Sequence, residues 1–117
     1  PFMLTKACLP ILKKAKEASI IFTSANVGYK GQAYWGAYAV SKAATENLME
    51  ILSEELEVNT KVRVNSVDPG RVRTRMNALA YPGDDPSNVP LPKDVTPVYL
   101  YLMGPDSGGV TGERFDV

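Results

Sequence analysis

The sequence predicts an α/β fold in which a parallel β-sheet is covered by helices on both faces. Two short runs with β-sheet propensity, at about 19 to 24 and 61 to 67, are separated by longer stretches with helical periodicity. Such alternation of strands and helices is typical of a parallel sheet buried on both faces. With 117 residues, the chain is long enough for a single domain with a hydrophobic core.

The first expected element is a helix at about 2 to 17. Its apolar side chains recur at helical spacing, at Leu4, Cys8, Ile11, Leu12 and Ala15. Pro10 lies inside the pattern and should kink the helix. We interpret Cys8, the only cysteine, as a small buried hydrophobic residue and not as a reactive thiol.

A strand at about 19 to 24 and a helix at about 37 to 58 come next, joined by a loop with glycines and aromatic residues. The helix places apolar residues on one stripe: Val40, Ala44, Leu48, Leu52 and Leu56. A second strand at about 61 to 67 follows. We expect both strands to be buried, since the first carries no charge and both are rich in β-branched residues.

The last third of the chain begins with a long connection from about 71 to 89, rich in Pro, Gly, Asp and Asn. Loops of this length are usually lids or disordered segments. A helix at about 93 to 103 follows, and a short third strand at about 113 to 117 ends the chain. Between them lie three glycines that we interpret as turn residues, Gly108, Gly109 and Gly112.

Charge and composition exclude several classes of function. Lys plus Arg and Asp plus Glu are both 13, and this zero net charge argues against a nucleic-acid or acidic-membrane partner. No apolar run reaches the roughly 18 residues of a membrane span. One cysteine and no histidine exclude an internal disulfide, the usual zinc sites, and Ser-His or Cys-His catalytic pairs. A reducing, cytoplasmic location fits this composition.

The most informative motif is Tyr38-Ala39-Val40-Ser41-Lys42. Its tyrosine and lysine are one helical turn apart, so their side chains share a helix face. A phenol has a reference pKa of about 10, and a nearby ammonium group favours phenolate and lowers that pKa. Tyr38 is therefore our candidate proton-transfer residue, although this spacing also occurs in ordinary surface helices.

The order of the motifs along the chain resembles that of a known protein family. The strand at 19 to 24 precedes Tyr38 and Lys42, and Asn65 to Gly70 reads Asn-x-x-x-Pro-Gly. In this order the whole chain resembles the C-terminal half of the short-chain dehydrogenase/reductase family, closest to its YciK-like bacterial oxidoreductases. The resemblance implies half of a Rossmann-type doubly wound sheet, with about three strands and flanking helices. The family's Gly-rich nucleotide-binding half has no match, so we expect a fragment.

The resemblance implies hydride transfer between a nicotinamide cofactor and a carbonyl or alcohol substrate. Tyr38 matches the family's proton donor and acceptor, and Lys42 matches the residue that lowers the tyrosine pKa and binds the nicotinamide ribose. The choice between NAD and NADP stays open, because the family makes it in the missing half. The residues that match the cofactor-binding turn are Pro69, Gly70, Val72 and Thr74.

The family's catalytic serine falls on an alanine in this chain. It lies 13 residues before the tyrosine, which is Ala25, and the match of Gly28 to a family glycine supports that count. We assign Ser24 to the catalytic role after a local shift and keep Asn26 as a substitute. The alternative is that the role is vacant.

Two further groups of side chains allow two interpretations each. Arg71, Arg73 and Arg75 alternate, so in an extended segment they would face one way, toward a phosphate or acidic substrate or toward solvent. Tyr34 and Trp35 precede the Tyr38 helix and either line a substrate pocket or pack against another subunit.

The resemblance also implies a homodimer or homotetramer, through the helices at about 2 to 17 and 37 to 58. The alternative to an enzyme is a non-catalytic, oligomerising remnant of the same fold. A sugar epimerase or dehydratase shares Tyr-x-x-x-Lys, but those relatives usually have a larger C-terminal domain.

Overall fold

The computed structural model describes all residues from 1 to 117. The helices and strands, in chain order, are α1 (Phe2–Leu12), β1 (Ala18–Thr23), α2 (Gly36–Glu57), β2 (Val62–Asp68), α3 (Arg75–Ala80), α4 (Pro92–Met103) and β3 (Arg114–Asp116). The three strands form one parallel sheet in the order β1-β2-β3. The predicted α/β class is confirmed, and the three strands, α2 and α4 begin and end within about a residue or two of the positions expected from sequence.

The register of the sheet places the ends of β1 and β2 side by side. Ala18 is paired with Val62 and Thr23 with Val67. Because the strands are parallel, the loops that follow Thr23 and Asp68 leave the sheet at the same edge. This carboxyl edge is where open α/β sheets bind ligands.

The core lies between α2 and the sheet. Its buried cluster consists of Phe22, Met49, Leu52, Leu56, Val62 and Val64. Each such side chain contributes roughly 1.5–3 kcal/mol when it leaves water. This burial holds the second half of α2 against the sheet.

The predicted apolar stripe of α2 is only partly correct. Leu52 and Leu56 are buried, but Val40 is 70% exposed, whereas Met49 is 1% exposed. The buried face also includes Glu46, whose Oε2 accepts a hydrogen bond from Ser66 Oγ at 2.8 Å. A hydrophobic pattern could not reveal the burial of Glu46, because it depends on a partner on β2.

The first helix is shorter than predicted, since α1 ends at Leu12 and not near residue 17. Leu4 and Ile11 of its expected buried face are exposed, and Cys8 is half-buried. Leu9 and Leu12 make its contact with the core. A helix in a protein depends on packing for most of its stability, and the rest of this apolar face has no partner in the structure. The lysine-rich segment beyond Leu12 therefore continues as turns.

The connection after β2 is more ordered than its composition predicts. It contains α3, and Thr74 begins that helix by accepting a hydrogen bond from Asn77 N at 3.2 Å. Arg73 donates to the carbonyl oxygens of Ser87 and Val89, at 3.1 and 3.2 Å. These contacts hold the two ends of the connection together. The connection is therefore an ordered segment in this structure and not an open lid.

Both ends of α4 are stabilised by side chains. Asp94 Oδ2 accepts from Leu91 N at 2.8 Å at the start. At the end, the buried Arg63 donates to the carbonyl oxygens of Leu102 and Gly104, each at 3.3 Å, and of Ser107 at 2.8 Å. A cation near the last carbonyls is favoured by the helix dipole. No helix is long and apolar enough to cross a bilayer.

Candidate functional site

A cavity of about 370 Å³ lies at the carboxyl edge of the sheet. Its walls come from the loops after β1 and β2, the start of α2, and α3. A wider depression of about 1230 Å³ lies near Lys13 and Asn59. That depression is at the amino ends of the strands and is lined mainly by polar and charged residues, so the smaller cavity is the better candidate site.

Tyr38 lines this cavity from the first turn of α2. The half-buried ring packs on Trp35, with the ring centroids 5.6 Å apart. Lys42 lies on the same helix face, with its Nζ 5.5 Å from the centroid of the Tyr38 ring. The same ammonium group donates a hydrogen bond to the carbonyl oxygen of Thr23 at 2.8 Å. The structure therefore brings the two predicted residues together, with Tyr38 lining the cavity and Lys42 behind it, outside the cavity wall.

The expected lowering of the Tyr38 pKa is wrong for this arrangement. Burial of the phenol raises its pKa above the ordinary value, and the negative charge of Asp68 and the nearby Tyr81 raise it further. Lys42 does not offset these causes; its ammonium group donates to the Thr23 carbonyl and faces the ring of Tyr38. Tyr38 is therefore a protonated phenol at neutral pH.

We predict that Tyr38 ionises at a higher pH than an ordinary tyrosine. Because the folded state raises its pKa, Tyr38 adds stability that is complete below about pH 10 and is lost as the pH rises through the folded-state pKa. The near-ultraviolet absorbance of phenolate, measured as a difference between the protein and its Tyr38→Phe variant, isolates this group. A midpoint below the ordinary tyrosine value would contradict the prediction.

Ser24 is not placed where the sequence-based assignment needs it. It is 3% exposed, its Oγ has no hydrogen-bond partner, and it does not line the cavity. Ala25 and Asn26 line the cavity instead. Neighbouring side chains in extended backbone point to opposite sides, and the Ser24 backbone N–H is still bound to Val67 O at 2.8 Å. The local shift that would bring Ser24 into the site does not occur in this structure.

The turn after β2 forms another wall of the cavity. Gly70, Val72 and Thr74 line it, but Pro69 does not. Gly70 has a φ of 63°, a left-handed conformation that favours glycine. Its N–H donates to Asp68 Oδ1 at 2.8 Å, which fixes the turn. The absent side chain leaves the backbone open to close approach by a flat ring.

Gly28 packs the β1–α2 loop directly on the turn of α2 that carries Lys42. A Cβ atom at Gly28 would lie 2.9 Å from the backbone carbonyl carbon of Lys42. A glycine at this position therefore has a steric reason, because the loop lies directly against the backbone of the helix and leaves no room for a side chain.

We predict that Gly28→Ala lowers the free energy of unfolding by about 1–3 kcal/mol, because backbone must move to admit the methyl group. Gly31→Ala is the matched control, since nothing lies within 4 Å of a Cβ at that position. Urea denaturation of both variants checks this. Equal midpoints for the two would show that the loop moves freely away from α2.

The partners that hold Asp68 were not predicted from the sequence. Arg114 Nη2 binds Asp68 Oδ2 at 3.1 Å, and its Nε binds Asp116 at 2.7 Å. The guanidinium group also lies 3.7 Å from the centroid of the Tyr29 ring. Only the position of Asp68, immediately before Pro-Gly at a strand end, could have drawn attention to it. Its partners come from distant segments that no local pattern connects.

The alternating arginines do not form one face. Arg71 binds Asp84 at 2.5 Å, Arg73 binds carbonyl groups within its own connection, and Arg75 begins α3. Trp35 lines the cavity, whereas Tyr34 is fully exposed. The buried Asn65 donates to Val110 O at 2.9 Å and accepts from Glu113 N at 3.0 Å, so it joins β2 to the segment before β3.

Comparisons with known proteins point to the same family as the motifs. A family model for short chain dehydrogenases matches residues 1–84. The chain is 50% identical over 115 residues to the uncharacterised oxidoreductase YciK of Escherichia coli K12, with 98% of this chain and 45% of YciK aligned. It is 38% identical over 125 residues to the uncharacterised oxidoreductase YhxC of Bacillus subtilis, with 99% of this chain and 43% of YhxC aligned.

Solved structures agree in fold over almost the whole chain. A protein described as a short chain dehydrogenase from Pseudomonas syringae matches with a TM-score of 0.95 and 59% identity, over 98% of this chain and 47% of that one. A short chain dehydrogenase from Escherichia coli CFT073, solved with NADPH, matches with a TM-score of 0.94 and 50% identity, with the same coverage of 98% and 47%. The chain spans about half the length of these relatives. From its family match, its relatives and its fold, the chain belongs to the short-chain dehydrogenase family.

Proposed function

We propose that residues 1–117 form a partial Rossmann-like domain, the catalytic half of an NAD(P)-dependent oxidoreductase. The observation that carries the proposal is the placement of Tyr38, beside Lys42, in a cavity that the Gly70 turn also lines. Relatives solved with NADP and NADPH support a nicotinamide dinucleotide, and NADP in particular. When bound, the nicotinamide supplies or accepts the hydride at the substrate's carbonyl or carbinol carbon.

The residues of the cavity fit such a group. Gly70 offers backbone without a side chain, and a Cβ there would meet nothing closer than Val117 O at 3.8 Å. Val72 and Thr74 line the adjoining wall. We assign these three, with the preceding Pro69, to the nicotinamide end, where the Thr74 hydroxyl can donate while it caps α3.

Tyr38 performs the proton transfer in this proposal. Its raised pKa keeps the hydroxyl protonated, as a donor to a carbonyl oxygen must be. Lys42 would hold the nicotinamide ribose when the cofactor is bound, and its positive charge would then lower the tyrosine pKa. Because Ser24 is turned away, we assign Asn26 to hold the substrate oxygen.

The complete protein tests this proposal directly. NADH and NADPH absorbance is followed with a panel of aldehydes, ketones and alcohols. We expect consumption of NADPH with at least one carbonyl compound. A protein that binds neither nucleotide would contradict the oxidoreductase assignment. We further propose a cytoplasmic location, which suits a single unpaired thiol at Cys8.

We propose that α1 and α2 also mediate homodimer or homotetramer formation. Exposed apolar side chains lie on both helices: Phe2, Met3, Leu4, Ile11, Val40 and Ile51. Exposed apolar patches of this kind are typical of interaction surfaces.

We predict that Ile11→Glu in the complete protein raises the dissociation constant of the oligomer at least about tenfold, because it places a charge in an apolar interface. Leu79→Glu, an exposed position on α3, is the control. Sedimentation equilibrium measures both. A monomeric parent protein, or equal effects of the two substitutions, would contradict the assignment of the interface.

The second candidate function is a non-catalytic, oligomerising chain of the same fold. The observation in its favour is Ala25, which lines the cavity where the family's serine is expected. Titration with NADPH separates the candidates. Tight binding by residues 1–117 alone would argue against the non-catalytic candidate.

A further inference from the structure

The cavity beside Tyr38 has an aromatic wall. The Trp35 ring lies between two tyrosines, with its centroid 5.6 Å from that of Tyr38 and 5.9 Å from that of Tyr81. Met76 and Ala80 of α3 extend the apolar surface. Flat rings gain most from such a surface, through offset stacking and edge-to-face contacts.

Only two charged residues line the cavity, Asp68 and Arg71, and both are already paired. Asp68 is buried, and each of its carboxylate oxygens has a partner: Gly70 N at 2.8 Å and Arg114 Nη2 at 3.1 Å. This carboxylate therefore does not require a cationic group on a ligand, and its negative charge disfavours an anionic one.

Arg71 is paired on three sides. Its Nη2 binds Asp84 Oδ2 at 2.5 Å, its Nε binds Asn77 Oδ1 at 3.1 Å, and its guanidinium carbon lies 3.7 Å from the centroid of the Tyr81 ring. An acidic ligand would have to share this charge with Asp84, which already neutralises it. Asp84 thus occupies the place that a substrate carboxylate would take, because a guanidinium group binds carboxylates edge-on.

We propose that this cavity selects an uncharged substrate whose body is a flat or cyclic apolar group packed against Trp35 and Tyr81, and that the Arg71–Asp84 pair excludes anionic analogues. That the bound molecule is a substrate rests on the proposed oxidoreductase function, which this inference deepens. The selection itself is a property of binding and does not require turnover.

Trp35 is the only tryptophan of the chain and lies in the proposed binding wall. Its fluorescence, taken as the difference between the complete protein and its Trp35→Phe variant, reports ligand binding there. The probes are benzyl alcohol, benzoate and benzylammonium, which share one ring and differ in charge. We expect benzyl alcohol to bind at least about tenfold more tightly than benzoate, because a carboxylate would enter without a free partner.

Asp84→Asn tests the role of the ion pair. It releases the charge of Arg71, so the affinity for benzoate should rise at least about threefold while that for benzyl alcohol stays constant. Asp106→Asn removes the same charge from an exposed site outside the cavity and should change neither affinity.

Three results would overturn the inference. They are benzoate binding as tightly as benzyl alcohol, an Asp84→Asn variant with an unchanged ratio of the two affinities, and no change in Trp35 fluorescence with any of the probes. A protein that shows the expected ratios but never consumes NADPH would refute the proposed oxidoreductase function and leave this inference standing.

Discussion

Replacing Tyr38 by phenylalanine should lower kcat of the complete protein by about 10²–10⁴-fold, the usual contribution of a positioned proton donor. The substitution removes only the hydroxyl group, so the ring keeps its contact with Trp35. No other residue of the cavity wall combines a protonated, ionisable hydroxyl with a neighbouring ammonium group. We therefore expect no second residue to restore proton transfer.

The matched control is Tyr34→Phe, which removes a hydroxyl from a fully exposed tyrosine outside the cavity. Steady-state kinetics and NADPH titration of both variants separate chemistry from binding. We expect Tyr34→Phe to behave as the parent and Tyr38→Phe to keep most of its affinity for NADPH. Unchanged kcat in Tyr38→Phe would remove this residue from the mechanism.

Replacing Arg63 by methionine should lower the free energy of unfolding by about 3 kcal/mol or more, because hydrogen bonds from a charged donor are worth about 1.5–3 kcal/mol each. Arg63 is buried and binds the carbonyl oxygens of Leu102, Gly104 and Ser107. Methionine retains most of the apolar volume but removes the charged donor, and the three carbonyl groups keep only their weaker, neutral partners, Ser107 Oγ and Val110 N. The end of α4 then loses its attachment to β2.

Arg75→Met is the control for charge and size. Arg75 is exposed, and no hydrogen bond or ion pair involves its side chain. Its replacement should change stability by no more than about 0.5 kcal/mol. Urea unfolding curves of the two variants measure the difference, and similar midpoints would mean that α4 does not depend on Arg63.

Much of the fold could be predicted from the sequence because its signals are local. The β-rich runs, the long α2 pattern and Gly104-Pro105 after α4 each depend on residues close together in the chain. Helix geometry likewise required Tyr38 and Lys42 to share a face, and the structure shows them 5.5 Å apart from Nζ to ring centroid.

Other predictions failed where the outcome depends on distant contacts. The apolar residues of α1 predict a longer helix with a buried face, but only Leu9 and Leu12 pack against the core. The pattern of α2 did not reveal Glu46, whose burial depends on Ser66 of β2. The alternation of Arg71 and Arg73 was clear from the sequence, but their partners were not.

The sequence by itself determined the order of strands and helices along the chain, the family, and the spacing of Tyr38 and Lys42. Each of these depends on short motifs whose residues are close together in the chain. Only the tertiary structure decided which way the pKa of Tyr38 moves and that Ala25, not Ser24, reaches the cavity. The first outcome depends on burial and on charges from other strands and loops, such as Asp68, and the second on the hydrogen bond between Ser24 N and Val67 O. Such contacts arise only when segments remote in the chain pack together.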